Sequence, residues 1–233
     1  MHSATAKSSD RADAPPADAS AFAALVRRRR ATPEFLPEPV PREEIEEALH
    51  IAAEAPSGYN LQPWRYLVLR SPEARARLRA AAFDQEKITE APLVIVATAH
   101  REAWRQPADE ILRTQAIRTG RDPDDTEKRE KAKASAFAFI DQLPREVWLT
   151  RQVMIGFTYL MLGFESLGWD TAPMEGFDAE AVRGALGLPA DTEIVALLAV
   201  GRAAEPGKRH PGRLPLERIA FEENDGTPWR SEG

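Results

Sequence analysis

The chain contains no cysteine, which excludes disulfides, thiolate nucleophiles and cysteine metal sites and fits a reducing, cytoplasmic compartment. Histidine is scarce as well. His2, His50, His100 and His210 are scattered without ligand spacing, so no metal site is expected. Long hydrophobic runs are missing: the most apolar stretch, Val153 to Phe164, is interrupted by Gly156 and Thr158 and falls short of the roughly 20 residues that cross a bilayer. No membrane partner is expected. Positive charge is in deficit, with a net charge of −6 and a pI of about 5.4, which argues against nucleic acid and anionic surfaces as partners.

The familiar catalytic signatures are absent too. No G-x-G-x-x-G follows a strand, and no G-x-S-x-G elbow occurs. Gly201 to Arg209 only imitates a P-loop, because five residues separate its glycines and Arg209 stands where a magnesium-binding hydroxyl belongs. With no protein nucleophile and no metal centre in view, any reactive group must be brought by a cofactor.

What is present suffices for a sizeable core: 233 residues, 43% of them hydrophobic. Residues 1–20 are rich in Ala, Ser, Asp and Pro and read as a disordered N-terminal tail without a signal-peptide core. Order is expected from Ala21. Phe22, Leu25 and Val26 sit at helical spacing ahead of Arg27 to Arg30, and Pro33 closes the helix. Those arginines are either a solvated cationic turn or a clamp whose guanidinium forks hold phosphate oxygens in pairs. A second amphipathic helix, with Ile45 and Leu49 at its core positions, leads to Pro56.

Pro56-Ser57-Gly58-Tyr59-Asn60-Leu61-Gln62-Pro63 changes from turn chemistry to strand chemistry at Trp64. Pro63 is expected to hold Gln62 extended. The loop offers backbone N–H groups, a hydroxyl and two carboxamides, which suit either an ordinary connection or the edge of a heteroaromatic ring. A helical pattern follows over Pro72 to Phe83, then a buried strand, Leu93 to Ala99. Residues 101–133 are dominated by charge and read as a surface excursion and candidate lid, outside the core. The long helix Trp148 to Leu167 is apolar nearly all round. It is either central or part of a subunit interface, with Gly156 and Gly163 open to a partner helix. Gly168 to Asp178 reads as a tight exposed segment, Asp178 caps a helix over Ala179 to Leu186, and a last strand runs from Glu193 to Val200.

Four separated pieces resemble the FMN-dependent nitroreductases: Arg29-Arg30 with Phe35 downstream, Pro56 to Trp64, Gly168 through Pro173-Met174-Glu175-Gly176-Phe177-Asp178, and Arg213-Leu214-Pro215-Leu216. The resemblance spans about residues 21–222, the expected FMN-binding domain, followed by a tail over 223–233. It implies an α+β fold with a central mixed sheet flanked by helices, in an intertwined homodimer with flavin at the interface. The implied activity is hydride transfer from NADH or NADPH, through FMN, to a small-molecule acceptor such as a nitroaromatic or quinone. A flavin-dependent dehydrogenase or oxidase and a reductive dehalogenase share the scaffold; a non-enzymatic anion binder without flavin is the alternative from another class.

By the same resemblance Arg29, Arg30 and Arg213, with Ala31 in the same segment, hold the FMN phosphate. Pro56, Ser57, Gly58, Asn60 and Gln62 line the ring, and Pro173, Met174, Glu175 and Gly176 follow its other face with a backbone N–H aimed at N5. No side chain is assigned as catalytic. The family often carries a hydroxyl at the place of Ala31 and cations at those of Pro33 and Pro211, so Lys208, Arg209 or His210 is expected to compensate. Lys87 is either a solvated helix-end lysine or the cation at the N1 edge of the ring.

Overall fold

The computed structural model describes residues 19–205 and 210–230. Residues 1–18 of the tail expected over 1–20, and the cations Lys208 and Arg209, lie outside the described residues. Helix α1 (Ala19–Arg28) starts two residues earlier than expected and ends with Arg27 and Arg28 in its last turn. Helix α2 (Arg42–Ala53) and a 3₁₀ turn at Gly58–Asn60 lead into strand β1 (Trp64–Leu69). Ser71 caps helix α3 (Pro72–Ala81), accepting from the Ala74 N–H, and the short α4 (Lys87–Glu90) precedes β2 (Leu93–His100).

The charged excursion is helical. It comprises a turn at Ala103–Arg105, α5 (Ala108–Arg118) and α6 (Thr126–Ile140), held together by ion pairs such as Arg113 to Asp124 and Arg129 to Asp109. The expectation that it lies wholly outside the core is corrected by Trp104, which is 2% exposed and packs against Trp148 and Phe137. That ring, with the buried Ala108, Ala136 and Ile140, roots a largely polar hairpin.

Helix α7 (Arg145–Ser166) crosses the molecule and is followed by β3 (Asp170–Met174), α8 (Ala179–Leu186) and β4 (Thr192–Gly201). The strand order is β1-β2-β4-β3. All three pairings are antiparallel, and the parallel component of the mixed sheet implied by the resemblance is confined to one bridge between Ala31 and Thr171. The fold is α+β. Both faces of β2 are covered: Leu93, Ile95 and Ala97 face α2 and α7, while Val94 and Val96 face α3, α4 and α8. A doubly covered strand explains its unbroken apolar sequence.

Three readings of backbone change. Gly168 to Asp178 is not a free loop, since Asp170 to Met174 forms an edge strand with Thr171, Ala172 and Met174 buried. Pro173 is tolerated because an edge strand needs hydrogen bonds on one side only. Gln62 is left-handed (φ 46°) instead of extended, in a loop where Tyr59 (φ 53°) and Asn60 (φ 57°) are left-handed as well. The glycines of α7 serve this chain's own packing: a Cβ at Gly156 would stand 2.5 Å from the Tyr66 hydroxyl, and one at Gly163 would stand 3.3 Å from Ile51. No helix among the described residues is long and apolar enough to cross a membrane.

Candidate functional site

The residues singled out by sequence fall into three groups, two of them toward opposite ends of α7. The first is basic. Arg28 donates to the Glu165 carbonyl (3.2 Å), which ties the end of α1 to the end of α7, and the Thr32 N–H donates to the Thr171 carbonyl (2.9 Å) beside the Ala31 bridge. Arg29 and Arg30 are therefore pinned against the start of β3. Both are half-buried, and Arg29 Nη1 and Arg30 Nε are buried without a hydrogen-bond partner among the described residues. Arg30 and Arg213 both act on His210, whose pKa is held below its usual value first by desolvation and then by these two positive charges. A cluster of like charges with unpartnered guanidinium N–H groups has the donor chemistry that suits an anion.

Behind the arginines, Glu165 is 5% exposed and accepts from the Thr171 hydroxyl (3.0 Å). Burial pushes its carboxyl up; the Thr171 bond opposes this, Asp170 adds to it, and Arg29 and Arg28 oppose it. A cleft of about 760 Å³ opens here between Arg28, Arg30, Glu165, Asp170 and Arg202.

The second group is the loop after α2. The Gly58 N–H donates to Gln152 Oε1 (2.8 Å), the Gln62 N–H to Ser57 Oγ (3.0 Å), and Gln62 Nε2 to the Asn60 carbonyl (3.1 Å). Three left-handed residues close together are costly, and such strain persists only where the surroundings impose it. Gln152, 9% exposed on α7, is one such constraint, and nothing in the sequence singles it out. Its apolar neighbours hide a polar residue aimed at the loop. Replacement Gln152→Leu keeps the volume but strands the Gly58 N–H, so stability is expected to fall by about 1–3 kcal/mol. Chemical denaturation measures the loss, and faster amide exchange at Gly58 locates it.

The remaining candidates lie on the far side of the sheet. Gln85 Nε2 donates to the Gly176 carbonyl (2.7 Å) and the Asp178 N–H to the Ala81 carbonyl (3.0 Å), so the end of β3 is stitched to the turn that precedes Lys87. Glu175 and Gly176 are exposed, Met174 is buried, and the Lys87 ammonium has no hydrogen bond or ion pair among the described residues. From Thr171 to Gly176 the chain advances about 16 Å at strand spacing, which sets the clamp and this exposed backbone at two ends of one track. The loop does not join them. Gln152 and Glu165 are thirteen positions apart on α7, so the loop and the clamp of one chain are separated by about 20 Å.

Similarity to known proteins complements this arrangement. The model of the nitroreductase family matches residues 26–202. Among curated relatives, an NADH dehydrogenase of Thermus thermophilus is 41% identical over 83% of this chain and 92% of its own length. A candidate NAD(P)H nitroreductase of Bacillus subtilis, YdgI, is 32% identical over 85% of this chain and 96% of its own. Among solved structures, a nitroreductase candidate of Exiguobacterium sibiricum in complex with FMN superposes with a TM-score of 0.76 at 26% identity, covering 87% of this chain and 97% of that one.

Proposed function

From the premise that this chain belongs to the nitroreductase family, we propose that it is an FMN-dependent oxidoreductase that takes hydride from NADH or NADPH and passes it to a small-molecule acceptor such as a nitroaromatic or quinone. The observation that carries this reading is the buried, unpartnered Arg29 Nη1 and Arg30 Nε, together with the positive charge that Arg30 and Arg213 both place on His210, which fit a terminal phosphate. Bound FMN supplies two-electron chemistry at N5.

The chain's own residues then have distinct tasks. Arg29, Arg30 and Arg213, with the Ala31 segment, neutralise the phosphate. Pro56, Ser57, Gly58, Asn60 and Gln62 present donors and acceptors to the edge of the ring. Pro173, Met174, Glu175 and Gly176 supply backbone along its face, and the unpaired ammonium of Lys87 offers positive charge to the N1 edge. A cation there stabilises the charge that reduction leaves on the ring.

The working form in this reading is a cytoplasmic homodimer. Two features support it: Ile155 and Tyr159 on α7 and Phe22 on α1 leave apolar surface exposed, and one chain keeps its loop about 20 Å from its clamp. A second copy can bring the two groups together across an isologous interface. The domain is taken as residues 21–222, with 101–133 as the candidate lid.

The test is the visible spectrum of the purified protein, extraction of its flavin against FMN and FAD standards, and anaerobic titration with NADH and NADPH followed by an acceptor screen. A yellow protein that yields FMN and bleaches with nicotinamide is expected. A colourless protein that takes up no FMN would falsify the proposal.

His210 gives the clamp a pH dependence. In the free protein its pKa is lowered from 6.5, so it is neutral near pH 7; a phosphate dianion beside it favours the protonated form and binding takes up a proton. Affinity is expected to rise as pH falls from 7 toward 6.5. FMN fluorescence titrations of parent and His210→Asn across pH 5.5–8 measure it: the parent should gain affinity toward pH 6.5 where the variant does not, and in both the loss of phosphate charge near pH ~6 works in the opposite sense.

A further inference from the structure

A separate cleft of about 440 Å³ lies between the strained loop and the excursion, with Asn60, Gln62 and Arg65 on one wall and Glu110, Thr114 and Arg118 of α5 on the other. Four arginines of the excursion and its border are neutralised: Arg105 pairs with Asp141, Arg113 with Asp124 (3.0 Å), Arg129 with Asp109 (3.3 Å) and Arg145 with Glu102. The two arginines of the cleft are not. Arg65 donates only to backbone, through Nη1 to the Trp64 carbonyl (2.8 Å) and the Gln62 carbonyl (3.5 Å), which leaves its Nε and Nη2 donors free among the described residues. Arg118 has no ion-pair partner among the described residues, although it sits in the last turn of α5 on the same stripe as Glu110 and Thr114.

We infer that this cleft recognises an anionic group carried by the reductant or the acceptor, with Arg65 and Arg118 as its specificity-determining residues. Guanidinium donors on facing walls can share the oxygens of one carboxylate, sulfonate or phosphate. Glu110, eight positions before Arg118 and so about 12 Å away along the helix, repels the same group and fixes which way the ligand lies. Asn60 and Gln62 belong both to this cleft and to the loop assigned to the ring edge, so an anion held here is tethered beside the reacting ring. The inference rests on the flavoenzyme reading for that last step, while the anion site itself stands on the cleft.

The test is calorimetric titration of the protein as purified with two probes, inorganic pyrophosphate for the diphosphate of a nicotinamide nucleotide and 4-nitrobenzoate for an anionic acceptor. At least one should bind, more weakly at high salt, and its affinity should fall about tenfold in Arg118→Glu while Arg118→Lys keeps most of it. Arg65→Gln should weaken the same probe. A response to pyrophosphate places the reductant in the cleft, and a response to nitrobenzoate places the acceptor there. If neither probe binds the parent, or if the variants bind as the parent does, the inference is overturned. Oxidation of NADH or NADPH by the parent is read separately, and its absence with probe binding intact would count against the flavoenzyme reading alone.

Discussion

Protein carrying Arg30→Ala together with Arg213→Ala is expected to purify folded and colourless. Neither side chain supports the core: Arg213 is exposed, and among the described residues the one side-chain hydrogen bond of Arg30 is to the neighbouring Arg29 carbonyl. Both contribute positive charge at His210 from segments nearly the whole chain apart. Each charge-assisted contact to a phosphate is worth about 1.5–3 kcal/mol, so removing two should weaken FMN binding by roughly a hundred- to ten-thousandfold. Fluorescence titration of the stripped protein with FMN measures the affinity, and circular dichroism and thermal midpoint report the fold. Unaltered affinity would move the phosphate elsewhere on the molecule.

The largest stability effect is expected at Gly156. A single methyl there would lie 2.5 Å from the Tyr66 oxygen and 3.3 Å from the Trp64 ring, all within the packed junction of α7 and β1. Overpacking of this kind costs about 1–3 kcal/mol for Gly156→Ala and more for leucine. The Tyr66 hydroxyl is itself anomalous. It is buried, finds no hydrogen-bond partner among the described residues, and burial raises its pKa beyond any working pH. Tyr66→Phe should therefore be neutral or stabilising alone, and should rescue part of the Gly156→Ala loss because it removes the atom in the way. Urea denaturation of the two single variants and the double variant measures this coupling. Strictly additive losses would show that Tyr66 does not set the limit at Gly156.

The sequence revealed most where one residue type has one use. Asp178 caps α8, and the apolar run at Leu93 is the doubly covered central strand. It was opaque where context decides. Pro173 argues against a strand until the strand is known to be an edge, and Gly156 invites a partner helix until Tyr66 is seen filling the space. The excursion hid its helices because its charges are distributed all round and its largest buried side chain, Trp104, is isolated in polar sequence. Gln152 left no signal, since a buried carboxamide becomes meaningful only when its acceptor oxygen is found against Gly58.

The tilted contact of Trp104 with Trp148, with ring centroids 4.8 Å apart, also bears on how the molecule handles light. Both indoles are shielded from water, and Trp148 lies 3.5 Å from where a Cβ on Gly58 would be, directly beneath the loop assigned to the ring. Excitation at the red edge of indole absorption should thus give blue-shifted emission from a dry site, and an isoalloxazine arriving at that loop would drain it by energy transfer. The same aromatic pair that roots the polar hairpin becomes an internal lamp, dimmed whenever the cofactor is seated and relit when it leaves.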